Sequence, residues 1–206
     1  MAVQVKICGV TRVEDAEAAV TLGAGMIGLN FYPPSPRCIS VERAIEIRRA
    51  IGNRATVIGV FVNATREYVG ERLREVELDM LQFHGDEDED AIRGWGVEVI
   101  RAFRLRADVS ELTLPTTAAD YVLLDTFHPG LYGGSGQARP LAGLERLDLA
   151  RVFISGGLAP GNVRAAAALN PYAVDVASGV ESAPGIKDHD KLRSFIANAK
   201  SFGASE

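Results

Sequence analysis

Residues 56–83 read TVIGVFVNATREYVGERLREVELDMLQF. The stretch opens on a β-branched run at 56–62, carries Tyr68, Val69, Leu73 and Val76 at helical spacing, and closes on a second apolar run, MLQF, at 80–83. The four middle residues fall on one stripe of a helix, and the flanking runs lack the polar alternation of a half-exposed strand. Strand, amphipathic helix, strand is the repeating unit of a parallel α/β fold.

The same unit recurs in both directions. Further short apolar runs lie at 3–7, 26–31, 97–103, 121–125, 151–155 and 172–177, giving eight strand candidates in 206 residues. Val41, Ala44, Ile45 and Arg48 mark one intervening helix, and Leu192, Phe195, Ile196 and Ala199 mark the last. Start signals agree: a capping-box pattern from Thr11 to Glu14, Ser40 ahead of the second helix, and Pro160 opening the seventh. Eight such units predict an α/β chain that folds over 1–206 as a single-domain (β/α)8 TIM barrel. The alternative, a doubly wound open sheet, places its glycine-rich turn after the first strand, whereas here such turns come late.

Composition narrows the partners. Lys and Arg total 22 against 27 Asp and Glu, a net charge of −5, and no basic run is interleaved with aromatics, which argues against nucleic acid. No window is apolar enough for a membrane span, and MAVQVKICG enters a strand without a leader-like segment, so the expectation is a cytoplasmic protein. Cys8 and Cys38 are the only cysteines, too few for a disulfide framework or a zinc site; both are expected as free thiols and no metal site is expected.

Active sites of such barrels form at the C-terminal ends of the strands. The residues at those ends are Cys8, Asn30 to Arg37, His84, Arg104, Asp125, Ser155-Gly156-Gly157 and Ser178-Gly179. Two glycine loops after strands 7 and 8 suit a phosphate, because glycine lets backbone N–H groups approach an anion, although glycine also serves plain tight turns. Asp125 is a turn cap or an acid–base group. Arg37 follows the proline-stiffened PPSPR, which holds a cation with little entropy to lose. His84 fits a structural hydrogen bond, the acidic run 86–90 a solvated helix start, and Cys38 a small packing residue. Composition leaves Cys8 between packing and chemistry.

The ordered segments KICGVTR (6–12), GLNFYPPSPR (28–37), LQFHGDE (81–87), LLDT (123–126), GGSG (133–136), ISGGLAPGNV (154–163) and DVASGVESAPGIKD (175–188) resemble those of the phosphoribosylanthranilate isomerase family, nearly end to end. The resemblance implies an Amadori rearrangement of a small phosphosugar-anthranilate substrate, in tryptophan biosynthesis, without metal or organic cofactor, by a monomer or homodimer. It implies Cys8 as general base, Asp125 as general acid and Arg37 as partner of the anthranilate carboxylate. His84, Gly134, Gly136, Gly156, Gly157, Asp175, Ser178 and Gly179 follow as further substrate-binding residues. The chain departs from the family at 137–141, QARPL, where an aromatic stretch is usual, and at Cys38, where an aromatic is frequent. Other phosphosugar barrels would lack the CGxT and SPR segments, and a non-catalytic binding barrel would not need Cys8 together with Asp125.

Overall fold

The computed structural model describes residues 3–104, 113–125, 141 and 143–201. Eight parallel strands close into a barrel in sequence order: β1 (Gln4–Cys8), β2 (Met26–Asn30), β3 (Thr56–Phe61), β4 (Met80–Phe83), β5 (Glu98–Arg104), β6 (Tyr121–Asp125), β7 (Val152–Ser155) and β8 (Ala173–Val176). Pairing of β1 with both β2 and β8 removes any sheet edge. The predicted (β/α)8 barrel is therefore present, each strand within a residue or so of its expected run.

The helical cover comprises α1 (Val13–Thr21), α2 (Val41–Ile51), α3 (Arg66–Glu75), α4 (Glu89–Ile92), α5 (Val163–Ala168) and α6 (His189–Lys200). Strand-to-helix alternation is less regular than the periodicity implied. Among the described residues no helix lies between β5 and β6, where 113–120 carry Pro115, and a 3-10 turn at Leu144–Arg146 precedes β7. A two-stranded hairpin, β9 (Glu181–Ala183) with β10 (Ile186–Lys187), is inserted between β8 and α6.

Local signals explain most helix starts. The Ser40 hydroxyl accepts from Arg43 N at 3.3 Å, and the Asp88 carboxylate accepts from Ala91 N at 2.8 Å. Leu192, Phe195, Ile196 and Ala199 are all buried, as their spacing required. Three expectations fail. Arg12, not Thr11, occupies the cap position of α1, because the Thr11 hydroxyl donates instead to Gly185 O at 2.6 Å. Helix α5 begins at Val163 behind Asn162, so Pro160 lies in the preceding turn. Within the acidic run, Glu87 is buried and accepts from Asn63 N and Gly85 N at 2.7 and 2.8 Å, so the run is not uniformly solvated.

Side-chain alternation along the strands sorts two cores. Met26, Ile58, Met80, Ile100, Ala102, Leu123, Phe153 and Ala173 fill the barrel interior, while a larger cluster lies between strands and helices. Tyr121, Phe153 and Tyr172 pack ring against ring beside this interior cluster. The same period brings Lys6, Gln82 and Asp175 inward, two residues before the strand-end positions Cys8, His84 and Ala177. A purely structural barrel fills that layer with branched apolar residues.

One buried hub steadies the rim. Asp15 in α1 accepts from Arg12 Nε and Nη2 at 2.9 and 2.7 Å and from Lys187 N at 3.0 Å, and it pairs with His189 Nε2 at 2.9 Å. Burial alone would raise its pKa; these bonds outweigh burial and hold it below the usual carboxylate range. The hairpin β9–β10 is thereby fastened beside the end of β1.

Candidate active site

The C-terminal mouth of the barrel opens into a cavity of about 390 Å³. Cys8, Arg37, His84, Asp125, Gly156, Gly157, Asp175, Ser178 and Gly179 all line it. Gly134 and Gly136, with most of the unusual 137–141 stretch, lie outside the described residues. Arg104 ends β5 but is exposed and does not line the cavity. Cys38 is exposed, so it is not the packing residue expected from its type; it sits in a short bridge to Asn30 on the rim.

Cys8 ends β1 beside a glycine that the neighbouring strand supplies at the same level. A Cβ on Gly28 would lie 3.0 Å from Cys8 Sγ and 3.3 Å from Lys6 Cε, so only glycine leaves both side chains their space. Lys6 is fully buried and pairs with Asp175 at 2.7 Å, its register partner on β8. Ser155 donates to the other Asp175 oxygen at 2.9 Å. Burial lowers the Lys6 pKa, but Asp175 and Cys8 together outweigh it and keep the ammonium charged. Burial pushes the Cys8 thiol up, Lys6 and Lys187 pull it down, and the net direction is upward. Cys8 is therefore a thiol at rest, held within reach of a buried cation.

Arg37 is placed by its loop. Asn30 Oδ1 accepts from Tyr32 N at 2.8 Å, and Ser35 Oγ accepts from Arg37 N at 3.2 Å, which fixes the turn that carries the arginine. The Arg37 stem lies across Gly9, whose backbone has φ +67° and where a Cβ would meet Arg37 Cδ at 2.5 Å. The guanidinium donates through Nε and Nη2 to Glu181 at 2.8 and 2.7 Å, a bidentate pair. Lys187 completes the frame: its Nζ donates to Glu181 at 2.9 Å, to Cys8 O at 2.7 Å and to Ala177 O at 3.1 Å. Burial raises the Glu181 pKa, yet Arg37 and Lys187 hold it below the usual range, so this anion stays ionised between two cations. One electrostatic frame thus ties the Arg37 loop to the ends of β1 and β8.

On the other side of the mouth, Asp125 Oδ2 lies 3.5 Å from His84 Nε2, and His84 Nδ1 lies 2.9 Å from Gln82 Nε2. The two glycine loops pack backbone to backbone: a Cβ on Gly179 would fall 1.9 Å from Leu158 O. Gly156 and Gly157 have φ of +87° and +66°, and Asn162 staples their loop by accepting from Ala159 N at 2.8 Å and donating to Gly157 O at 2.9 Å. Directly after β8 the chain forms a 3-10 turn, Ser178–Val180, and not the start of an α-helix.

Sequence reasoning passed over Lys6, Gln82, Glu181 and Lys187. The signal for the first two was available: charged or amide side chains at inward positions of otherwise apolar strands, two residues before a strand-end functional group. Glu181 and Lys187 depend on contacts with Arg37 and Cys8, 144 and 179 residues away, which periodicity cannot reveal.

Comparison with known proteins gives a consistent answer. A family model described as N-(5'-phosphoribosyl)anthranilate (PRA) isomerase matches residues 5–198. An N-(5'-phosphoribosyl)anthranilate isomerase of Pseudomonas fluorescens is 46% identical over 198 residues, covering 95% of this chain and 97% of that protein. The crystal structure of phosphoribosyl anthranilate isomerase from Thermus thermophilus superposes with TM-score 0.81 at 39% identity, covering 95% and 97% of the two chains. A second isomerase structure, in complex with reduced 1-(o-carboxyphenylamino)-1-deoxyribulose 5-phosphate, gives TM-score 0.78 at 37% identity, covering 96% and 98%. Among the described residues no helix is long and apolar enough to cross a membrane.

Proposed function

The chain belongs to the N-(5'-phosphoribosyl)anthranilate isomerase family, and from that premise we propose that its barrel mouth performs the rearrangement with Cys8 as general base and Asp125 as general acid. The observation that carries this reading is that Cys8 and Asp125 end strands β1 and β6 and open on one cavity with Arg37 and both glycine loops. The reaction needs two separate proton transfers. Asp125 delivers a proton to the furanose ring oxygen as the C1–O bond breaks, leaving a protonated Schiff base between C1 and the anthranilate nitrogen. Cys8 then removes the C2 proton, and the released electron pair forms the C1–C2 double bond of an enolamine. Loss of the C2 hydroxyl proton and gain of one at C1 complete the aldose-to-ketose isomerisation, with no net oxidation. A base whose resting pKa is raised by burial suits this order, because the cationic Schiff base forms beside the thiol and favours the thiolate only after ring opening. The reading carries with it a cytoplasmic monomer or homodimer acting without metal or organic cofactor.

Arg37 holds the anthranilate carboxylate. Glu181 occupies Nε and Nη2, which leaves Nη1 as the edge directed at substrate. A lysine ammonium lacks the planar fork, so it cannot reproduce the side-on pair with Glu181 and at the same time present a fixed N–H edge to the ligand. Arg37→Lys is expected to weaken binding of the reduced product analogue roughly ten- to hundredfold, the equivalent of one charge-assisted hydrogen bond, as measured by titration calorimetry. Unchanged affinity would remove Arg37 from the carboxylate site.

The phosphate lies between the loops at 156–157 and 178–179, bound by backbone N–H groups, since neither loop contains Lys or Arg. Gly179→Ala forces these loops apart by placing a methyl group against Leu158 O. The Michaelis constant is expected to rise about tenfold or more, the loss of at least one charge-assisted bond, and inorganic phosphate should cease to compete. Wild-type values for both would exclude this phosphate site.

A further inference from the structure

Of the three polar side chains one pleat below the mouth, Lys6 and Asp175 satisfy one another, and Gln82 is only partly satisfied. It is 1% exposed, its Nε2 lies 2.9 Å from His84 Nδ1, and its buried Oε1 has no hydrogen-bond partner among the described residues. A carboxamide NH2 donates and cannot accept. In this arrangement Nδ1 must therefore present a lone pair, and the single ring proton of His84 sits on Nε2, the nitrogen 3.5 Å from Asp125 Oδ2.

We propose that Gln82 is a positioning residue of the acid arm: it holds His84 as the neutral Nε2–H tautomer, so that Asp125 faces a hydrogen-bond donor and not an imidazolium. The inference rests on the reading of Asp125 as the general acid. Protonation of Nδ1 would set two N–H groups against each other at 2.9 Å, one of them on a carboxamide that is buried. Relief would require the amide to turn over, which would move its two donors to the buried position where Oε1 now finds no partner. An imidazolium at 3.5 Å would favour the ionised form of Asp125, the wrong state for a group that must deliver a proton. Among the described residues the remaining ionisable groups that line the cavity are Cys8, Tyr32, Arg37 and Asp175, with Lys6, Glu181 and Lys187 behind them. Lys6 pairs with Asp175, and Arg37 and Lys187 share Glu181, so among these groups it is protonation of His84 that would add a cation 3.5 Å from Asp125.

The chain has three histidines, so nitrogen-15 NMR of histidine-labelled full-length protein, assigned with a His84→Gln sample, reads the tautomer directly. At neutral pH the wild-type His84 signals should be those of the Nε2–H form. Gln82→Glu supplies an acceptor to Nδ1 and should move His84 to the Nδ1–H form or to imidazolium. With that change kcat should fall at least about tenfold, part of the hundredfold or more that general acid catalysis contributes, while KM stays near its wild-type value. Gln82→Met, close in volume, should leave the protein folded with both tautomers populated and an intermediate kcat. An Nδ1–H tautomer in the wild type, or a tautomer change in Gln82→Glu with kcat untouched, would overturn the proposal. If instead Asp125→Asn kept full turnover while the tautomer results stood, the acid assignment would fail and the role of Gln82 toward His84 would survive.

Discussion

Replacing Asp125 with asparagine is expected to lower kcat by about a hundredfold to ten-thousandfold, the range that a positioned general acid contributes. Asparagine has nearly the same shape and still offers His84 Nε2 an acceptor at the end of β6, so the cavity should survive. What it lacks is a dissociable proton for the furanose oxygen. The effect should therefore appear in turnover, with affinity for the reduced product analogue nearly unchanged, a pattern that marks an interaction made only in the transition state. Steady-state kinetics together with calorimetry separates the two. A variant that kept its kcat would reduce Asp125 to a loop cap.

Cys8→Ser is expected to cost a similar factor for the complementary reason. Serine fits the space that Gly28 leaves open, so folding should be unaffected. Its hydroxyl, however, does not ionise at any pH where the protein is folded. The thiol of Cys8 is pushed up by burial but pulled down by Lys6 and Lys187, and in the proposed mechanism the positive charge of the Schiff base adds to the pull of these cations. An alcohol starts far higher and cannot be brought into range by the same cations. Turnover near that of the wild type in Cys8→Ser would return the thiol to a packing role.

The fold was legible because parallel strands buried on both faces announce themselves as short apolar runs, and all eight lie where those runs are. Helix caps were legible where the partner is local, as with Ser40 and Arg43 N. They were not where tertiary contact competes: Thr11 has the spacing of a cap, but a carbonyl 174 residues away claims its hydroxyl. Motif residues Cys8, Arg37, His84, Asp125 and Asp175 do converge on one cavity. The groups that condition them were hidden for a physical reason. Lys6 and Asp175 meet only because closure of the barrel sets β1 against β8, and Glu181 meets Arg37 only because the hairpin folds back over the rim. Cys38 shows the opposite failure, since an average tendency of cysteine to be buried says nothing about one rim position.

Division of the proton transfers between Cys8 and Asp125 is most directly tested by mixing freshly prepared phosphoribosylanthranilate with the wild-type protein and with each of the two variants. Anthranilate fluorescence is followed while the mass of the product is recorded. The wild type should extinguish the fluorescence at a rate proportional to protein concentration, yielding a product of unchanged mass and no free anthranilate, and both variants should do so at least about a hundredfold more slowly. Persistent fluorescence with the wild type, release of free anthranilate, or equal rates for all three proteins would contradict it.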